Sequence, residues 1–305
     1  MSKKKWVPDV VKTLVASGFV LKNVTQKPNY LAFDVYRVDE FGVKWNYLLV
    51  FSAGGTITSS DVNGLSKVAS NNGASVVIIG RAETTRKDIP VITMRDFTGR
   101  MGGLIPSFLP LEPTYAEQLT TLGLNKLPKG LTGKADDLFE AYVHSGLQFI
   151  LQDKVVRYGQ ERLFEVVPDG LVLGRSSFQL LYDCKAAKDG YDISRDSIRQ
   201  FADYVSDFHK RYEGYVGRLH AFLLVSGKFQ SEDTLETRSG ELFSECQVPL
   251  VYLKAEELGK IVALFAERPS LRQSIDWRVI FSARFISAAA VKKNIQARVR
   301  DKVIT

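Results

Sequence analysis

Between residues 99 and 134 the chain places six glycines (Gly99, Gly102, Gly103, Gly123, Gly130, Gly133) and four prolines (Pro106, Pro110, Pro113, Pro128). Proline removes a backbone donor and glycine loosens the chain, so this stretch predicts no long regular element. It divides the 305 residues into two parts, each long enough for a modest domain. The expected organisation is a small α/β domain over 1–105, a Gly/Pro-rich linker over 106–134, a second α/β domain over 135–285 and a basic tail over 286–305.

In the first part, residues 7–20 carry helically spaced apolar positions. Leu31–Val38 and Trp45–Phe51 read as strands joined by the polar turn Asp39-Glu40-Phe41-Gly42. Asp61–Asn71 reads as an amphipathic helix and Ala74–Gly80 as a buried strand. In the second part, Asp136–Asp153 forms a helix with Leu138, Tyr142, Gly146, Phe149 and Ile150 along one face. Two strands follow: Leu163–Val167 leads through Pro168-Asp169-Gly170 into Leu171–Leu173, and after a pause at Gly174 Phe178–Lys185 forms its antiparallel neighbour, before a helix from Ser194 to about Arg211. His220–Ser226 and Val248–Leu253 read as strands, and Ala255–Glu267 as a further helix. The order is α-β-β-α-β-β-α, with no internal repeat.

Composition narrows the class. Hydrophobic residues make up 45% of the chain, enough for ordinary cores. No run approaches the roughly 20 apolar residues of a bilayer span, and the opening MSKKKWVPDVV lacks a signal-peptide core. A soluble, cytoplasmic protein with reduced thiols is expected. Cys184 and Cys246 form no Cys-x-x-Cys pair, and the scattered His144, His209 and His220 argue against zinc or HNH chemistry. Phe51–Thr56 is glycine-rich but lacks the Gly-Lys-Ser/Thr ending of a nucleotide loop. The formal charge is +7. Residues 1–105 hold 14 Lys/Arg against 8 Asp/Glu, and residues 286–305 hold 5 against 1. Basic flanks around a slightly acidic middle suit a chain that grips phosphate with its ends and metal with its centre, although solubility alone also explains such a charge.

The residues that carry chemistry lie in that middle. Metal-assisted hydrolysis of a phosphodiester needs hard anionic oxygens converging on a divalent ion, with a cation near the water or phosphorus. Asp169 and Asp183 stand 14 positions apart on neighbouring expected strands, and a hairpin centred near Gly174 brings them side by side. Strand alternation puts Asp183 and Lys185 on one face with Cys184 turned away. Pro-Asp and Asp-x-Lys are each common by chance. Their shared strand–turn–strand context gives the pair its weight.

Pro168-Asp169 followed by Asp183-Cys184-Lys185 resembles the signature of the PD-(D/E)xK nucleases. More narrowly, PDG, a hairpin, DCKAAKDGYDIS, the helix IRQFADYV and the run HAFLLVSGKF are similar to the cleavage domain of FokI-type restriction endonucleases, over about residues 136–285. The resemblance implies a restriction-endonuclease-like core with a central mixed sheet and a Mg²⁺-dependent DNA endonuclease, with Mn²⁺ as a substitute metal. Asp169, Asp183 and the Cys184 carbonyl would hold the metal and Lys185 would act on the water. Glu140 and Gln200 would support them; as a bland alternative, each is a solvated helix residue. Tyr191 is expected to pack the turn.

Helix, hairpin, helix and strand over residues 7–80 are also similar to the core order of Mrr-like nuclease domains. Asp34 lies on the first strand, but the second ends in Phe51-Ser52-Ala53 without an acid-x-Lys pair, which implies a degenerate nuclease fold kept for binding or dimerisation. Two functions remain open: an enzyme that cuts DNA, with cleavage of both strands calling for a homodimer or for two successive events, and a catalytically weak nuclease fold that binds DNA or regulates a partner. The residues do not choose between DNA and RNA.

Overall fold

The computed structural model describes residues 7–38, 44–84, 86, 89–94, 97, 109–158, 167–174 and 178–303. The chain forms two compact units, Met1–Pro113 and Thr114–Thr305, both α/β. No described helix is long and apolar enough to cross a membrane.

In the first unit, helix α1 (Val7–Ala16) is followed by β1 (Val20–Gln26), β2 (Tyr30–Val38), β3 (Lys44–Ser52), α2 (Ser59–Asn71), β4 (Ser75–Ile79) and β5 (Val91–Ile92). The five strands lie in sequence order in one sheet. β1–β2 and β2–β3 pair antiparallel, β3–β4 and β4–β5 parallel. α2 starts at a capping box in which Thr58 and Asp61 satisfy each other's backbone amides. It buries Val62, Leu65 and Ala69 against Ala32, Val50 and Ile78 of the sheet. The helix expected over 7–20 stops at Ala16, because Gly18 turns to a positive φ of 79° and the chain enters β1. The expected turn at 39–42 lies outside the described residues.

The stretch expected as a linker over 106–134 is largely built into the second unit. After a 3-10 turn at Leu109–Leu111, helix α3 spans Tyr115–Gly123. Its last residue is a point of close approach: a Cβ on Gly123 would lie 2.7 Å from the Cα of Gly227. Then come α4 (Ala135–Leu151), β6 (Lys154–Arg157), β7 (Gly170–Gly174), β8 (Phe178–Lys185), α5 (Arg195–Val216), β9 (Ala221–Ser226), α6 (Glu232–Cys246), β10 (Leu250–Lys254), α7 (Ala255–Glu267), β11 (Phe285–Ile286) and α8 (Ala288–Val303). Residues 163–166 of the strand expected before Asp169 lie outside the described residues, and the strand that pairs with β7 is β6. The basic tail expected over 286–305 is instead a helix that buries Val291 and Ile295.

The six-stranded sheet runs β11-β10-β9-β8-β7-β6, antiparallel from β6 to β8 and parallel from β8 to β11. This is the mixed central sheet expected. β9 is buried along its whole length, as a parallel strand covered on both faces must be. One face carries α5 and α6, whose Phe201, Val205, Leu235 and Leu242 pack on Leu181, Phe222, Leu224 and Leu250. α4 packs along β8, and α3 and α7 pack against α4 and each other. The β7–β8 pairing ends at Gly170↔Tyr182. The two strands part there, and the candidate site lies just beyond.

Candidate active site

Alternation along β8 sends Leu181, Asp183 and Lys185 to the α5 face and Tyr182 and Cys184 to the other. Asp183 is nearly inaccessible, at 2% exposure, and the Lys185 ammonium lies 2.5 Å from its Oδ2. Asp169, just before β7, is partly buried and its Oδ2 accepts the backbone N–H of Cys184 at 2.6 Å. A strand residue's N–H and C=O point to the same side. The Cys184 carbonyl therefore looks into the gap that Asp169 faces, while the Lys185 carbonyl faces β9 and accepts from the Ser226 hydroxyl at 2.7 Å. Asp169, Asp183, Cys184 and Lys185 are thus brought together.

Their electrostatics are strained in a common direction. Burial, then the charges of Asp183 and Glu140, hold the Asp169 carboxyl well above the ordinary carboxylate range. Burial also raises Asp183, against the pull of Lys185. The Lys185 ammonium loses from burial but gains more from Asp183 and Asp169, so its pKa is raised. It is a persistent cation and hydrogen-bond donor. The Cys184 thiol is pushed well up by burial and then by Asp169. Two carboxylates and a backbone carbonyl are hard oxygen donors, and a divalent cation would relieve the repulsion between the acids. Those residues fit Mg²⁺. No third acidic, histidine or cysteine side chain joins them in a ready cluster among the described residues.

Glu140, on α4, is held by Arg157 of β6: Nε donates to Oε1 at 2.7 Å, and both groups are largely buried. Burial raises the Glu140 carboxyl and Arg157 opposes the shift. It acts on Asp169 through its field, its near oxygen being committed to the guanidinium. Gln200, on α5, donates to the Tyr204 hydroxyl at 2.6 Å. The Tyr204 phenol is pushed up to about 12 by burial and then by Asp183, so Gln200 is linked to the site through Tyr204. Tyr191 hydrogen-bonds Ser197 at 3.1 Å and bridges to Phe229, the packing role expected of it.

The sequence reading missed Arg157 and the partly buried pair on the other face of β8, in which the Tyr182 hydroxyl meets His144 Nδ1 at 3.1 Å. Burial and then Arg157 lower the His144 pKa to about 4, leaving a neutral ring. An arginine directly after the apolar pair Val155-Val156, at the end of the short strand Lys154–Arg157, was the available signal for a buried partner.

A mixed sheet whose parted strands present two acids and a lysine, with helices on both faces, defines a restriction-endonuclease-like α/β unit. The FokI cleavage-domain family model matches residues 105–284, more than half the chain, and the chain belongs to that family. Two solved structures are similar, one of restriction endonuclease FokI and one of FokI bound to DNA. They show 17% and 18% identity and TM-scores of 0.43 and 0.44, and the matches cover 55% and 57% of this chain but 30% of each of theirs. The chain thus spans under a third of their length, and the family match alone carries the assignment. No curated protein matches.

Proposed function

We propose that the second unit is a Mg²⁺-dependent DNA endonuclease using Asp169, Asp183 and Lys185. The observation that carries this reading is the convergence of one buried and one partly buried carboxylate, both with raised pKa values, and one carbonyl at the mouth of the β7–β8 gap, beside a lysine that keeps its charge. Asp169, Asp183 and the Cys184 carbonyl would hold the metal, which when bound supplies Lewis-acid stabilisation of charge on the phosphate and an activated water. Lys185, being protonated, donates to a phosphate oxygen or orients the water and does not serve as the base. Arg157 holds Glu140 beside Asp169, and Gln200 holds the Tyr204 hydroxyl near Asp183. Because the described residues of one chain offer one such site, cutting both strands calls for two chains or two successive events. Incubating the intact chain with supercoiled plasmid and with single-stranded RNA, with Mg²⁺ or with EDTA, tests the reading. Nicked plasmid only with Mg²⁺ supports it, whereas an inert plasmid at every metal concentration, or cleavage of RNA alone, contradicts it.

A further inference from the structure

The two sheets are wired alike. In each, the first three strands are antiparallel neighbours and the third to fifth are parallel, in simple spatial order. A helix precedes the first strand in both (α1, α4), and another joins the third strand to the fourth (α2, α5). The pair Leu171↔Leu181 packs under α5 as Ala32↔Val50 packs under α2. Continuing both registers along the strands sets Tyr30, Ser52 and Gly54 at the places of Asp169, Asp183 and Lys185.

None of those three side chains is a carboxylate or a cation, so the acid-x-Lys set of the second unit has no counterpart there. Ser52 is committed locally, its hydroxyl accepting the Arg81 backbone N–H at 3.2 Å. Around that position the same end of the sheet carries exposed Lys27 in the β1–β2 turn and exposed Arg81 two residues after β4. Between them lies the Gly54-Gly55 loop. A Cβ built on Gly54 would meet nothing within 4 Å, so the backbone there is open to a ligand. Two acids lie nearby: Asp61 is tied to Thr58 in the cap of α2, and exposed Glu83 follows Arg81. At this sheet end one unit has acids that need a metal before phosphate can approach. The other has cations that meet phosphate directly.

We propose that the sheet end formed by Lys27, Ser52–Gly55 and Arg81 is a second, non-hydrolytic site for the DNA phosphate backbone. The choice of DNA rests on the function proposed above; the site itself does not. The test uses the full chain carrying Asp183→Ala throughout, so that no cleavage intervenes, and fluorescence anisotropy with a labelled duplex across a salt series. Lys27→Ala with Arg81→Ala should weaken binding and flatten the plot of log K against log salt by roughly 1.8, about 0.9 for each phosphate that is no longer neutralised. The charge-preserving pair Lys27→Arg with Arg81→Lys should keep the parent slope. An unchanged slope in the alanine pair, an equal loss in the charge-preserving pair, or an equal loss from Lys12→Ala with Lys67→Ala on α1 and α2 would overturn the proposal. Failure of the intact chain to nick plasmid would sink the nuclease reading and leave this binding measurement intact.

Discussion

Gly123→Ala joins the packing of the second unit to its chemistry. A Cβ there would lie 2.7 Å from the Gly227 Cα and 3.0 Å from its nitrogen, where ordinary contact begins at 3.4 Å, so the helix end or the β9 loop must give by about 0.7 Å. The obstacle is backbone, which cannot swing aside like a side chain. Overpacking of this kind costs about 1–3 kcal/mol, while alanine in place of helical glycine returns at most about 1 kcal/mol, so a net loss of about 1–2 kcal/mol is expected. For a unit of this size that lowers the melting temperature by about 2–8 °C. The Gly123 carbonyl also accepts the Ala187 N–H at 3.0 Å, two residues past Lys185. A shift there approaching an ångström can cost up to about 10²-fold in rate. Differential scanning calorimetry and plasmid nicking read both effects. Gly240→Ala on α6, where a Cβ meets nothing within 4 Å, serves as the control and should be stabilising. A Gly123→Ala protein that melts at or above the parent and nicks at its rate would refute the reasoning.

Arg157→Leu should destabilise the unit by about 3 kcal/mol, because Glu140 is left charged in a largely buried place, and adding Glu140→Gln should recover most of the loss in urea titrations. Asp169→Asn should raise the melting temperature of metal-free protein at neutral pH while removing nicking. The Asp169 pKa is raised on folding, so its stabilising contribution is present at low pH, below the ordinary value of about 3.9, and is lost as pH rises through the folded value. The gap between variant and parent should therefore widen in thermal melts as pH rises above the ordinary carboxylate value of about 3.9, and level off once the folded carboxyl is ionised. Mixing Asp183→Ala protein with intact chain should turn linear plasmid into nicked circles, as mixed dimers carry one working site; an unchanged product ratio on gel would indicate a chain that acts alone.

Much of the site was legible because its signals are local. Gly174 and the apolar runs on either side announce the β7–β8 hairpin, and alternation along Tyr182–Lys185 sorts the two faces. Helices α4 and α7 stand out through dense apolar periodicity. α6 does not, because its buried apolar positions are only Leu235 and Leu242, seven residues apart on a helix whose other positions are mostly polar. β1 escaped notice because nearly all of its residues are exposed at a sheet edge, so it shows no alternation. Gly123 reads as a breaker in one dimension and as a contact in three, since nothing near it in the chain foretells Gly227. The Glu140–Arg157 pair is 17 residues apart across a helix and a strand, a distance at which charge pattern alone carries no pairing.

The most direct test is Mg²⁺-dependent nicking by Asp183→Ala beside the intact chain, with calorimetric titration of Mg²⁺ into both and into Lys185→Ala. The arrangement at the β7–β8 gap predicts no nicking and lost metal binding for Asp183→Ala, and no nicking with metal binding retained for Lys185→Ala. Nicking by Asp183→Ala at the parent rate would contradict the assignment of the active site.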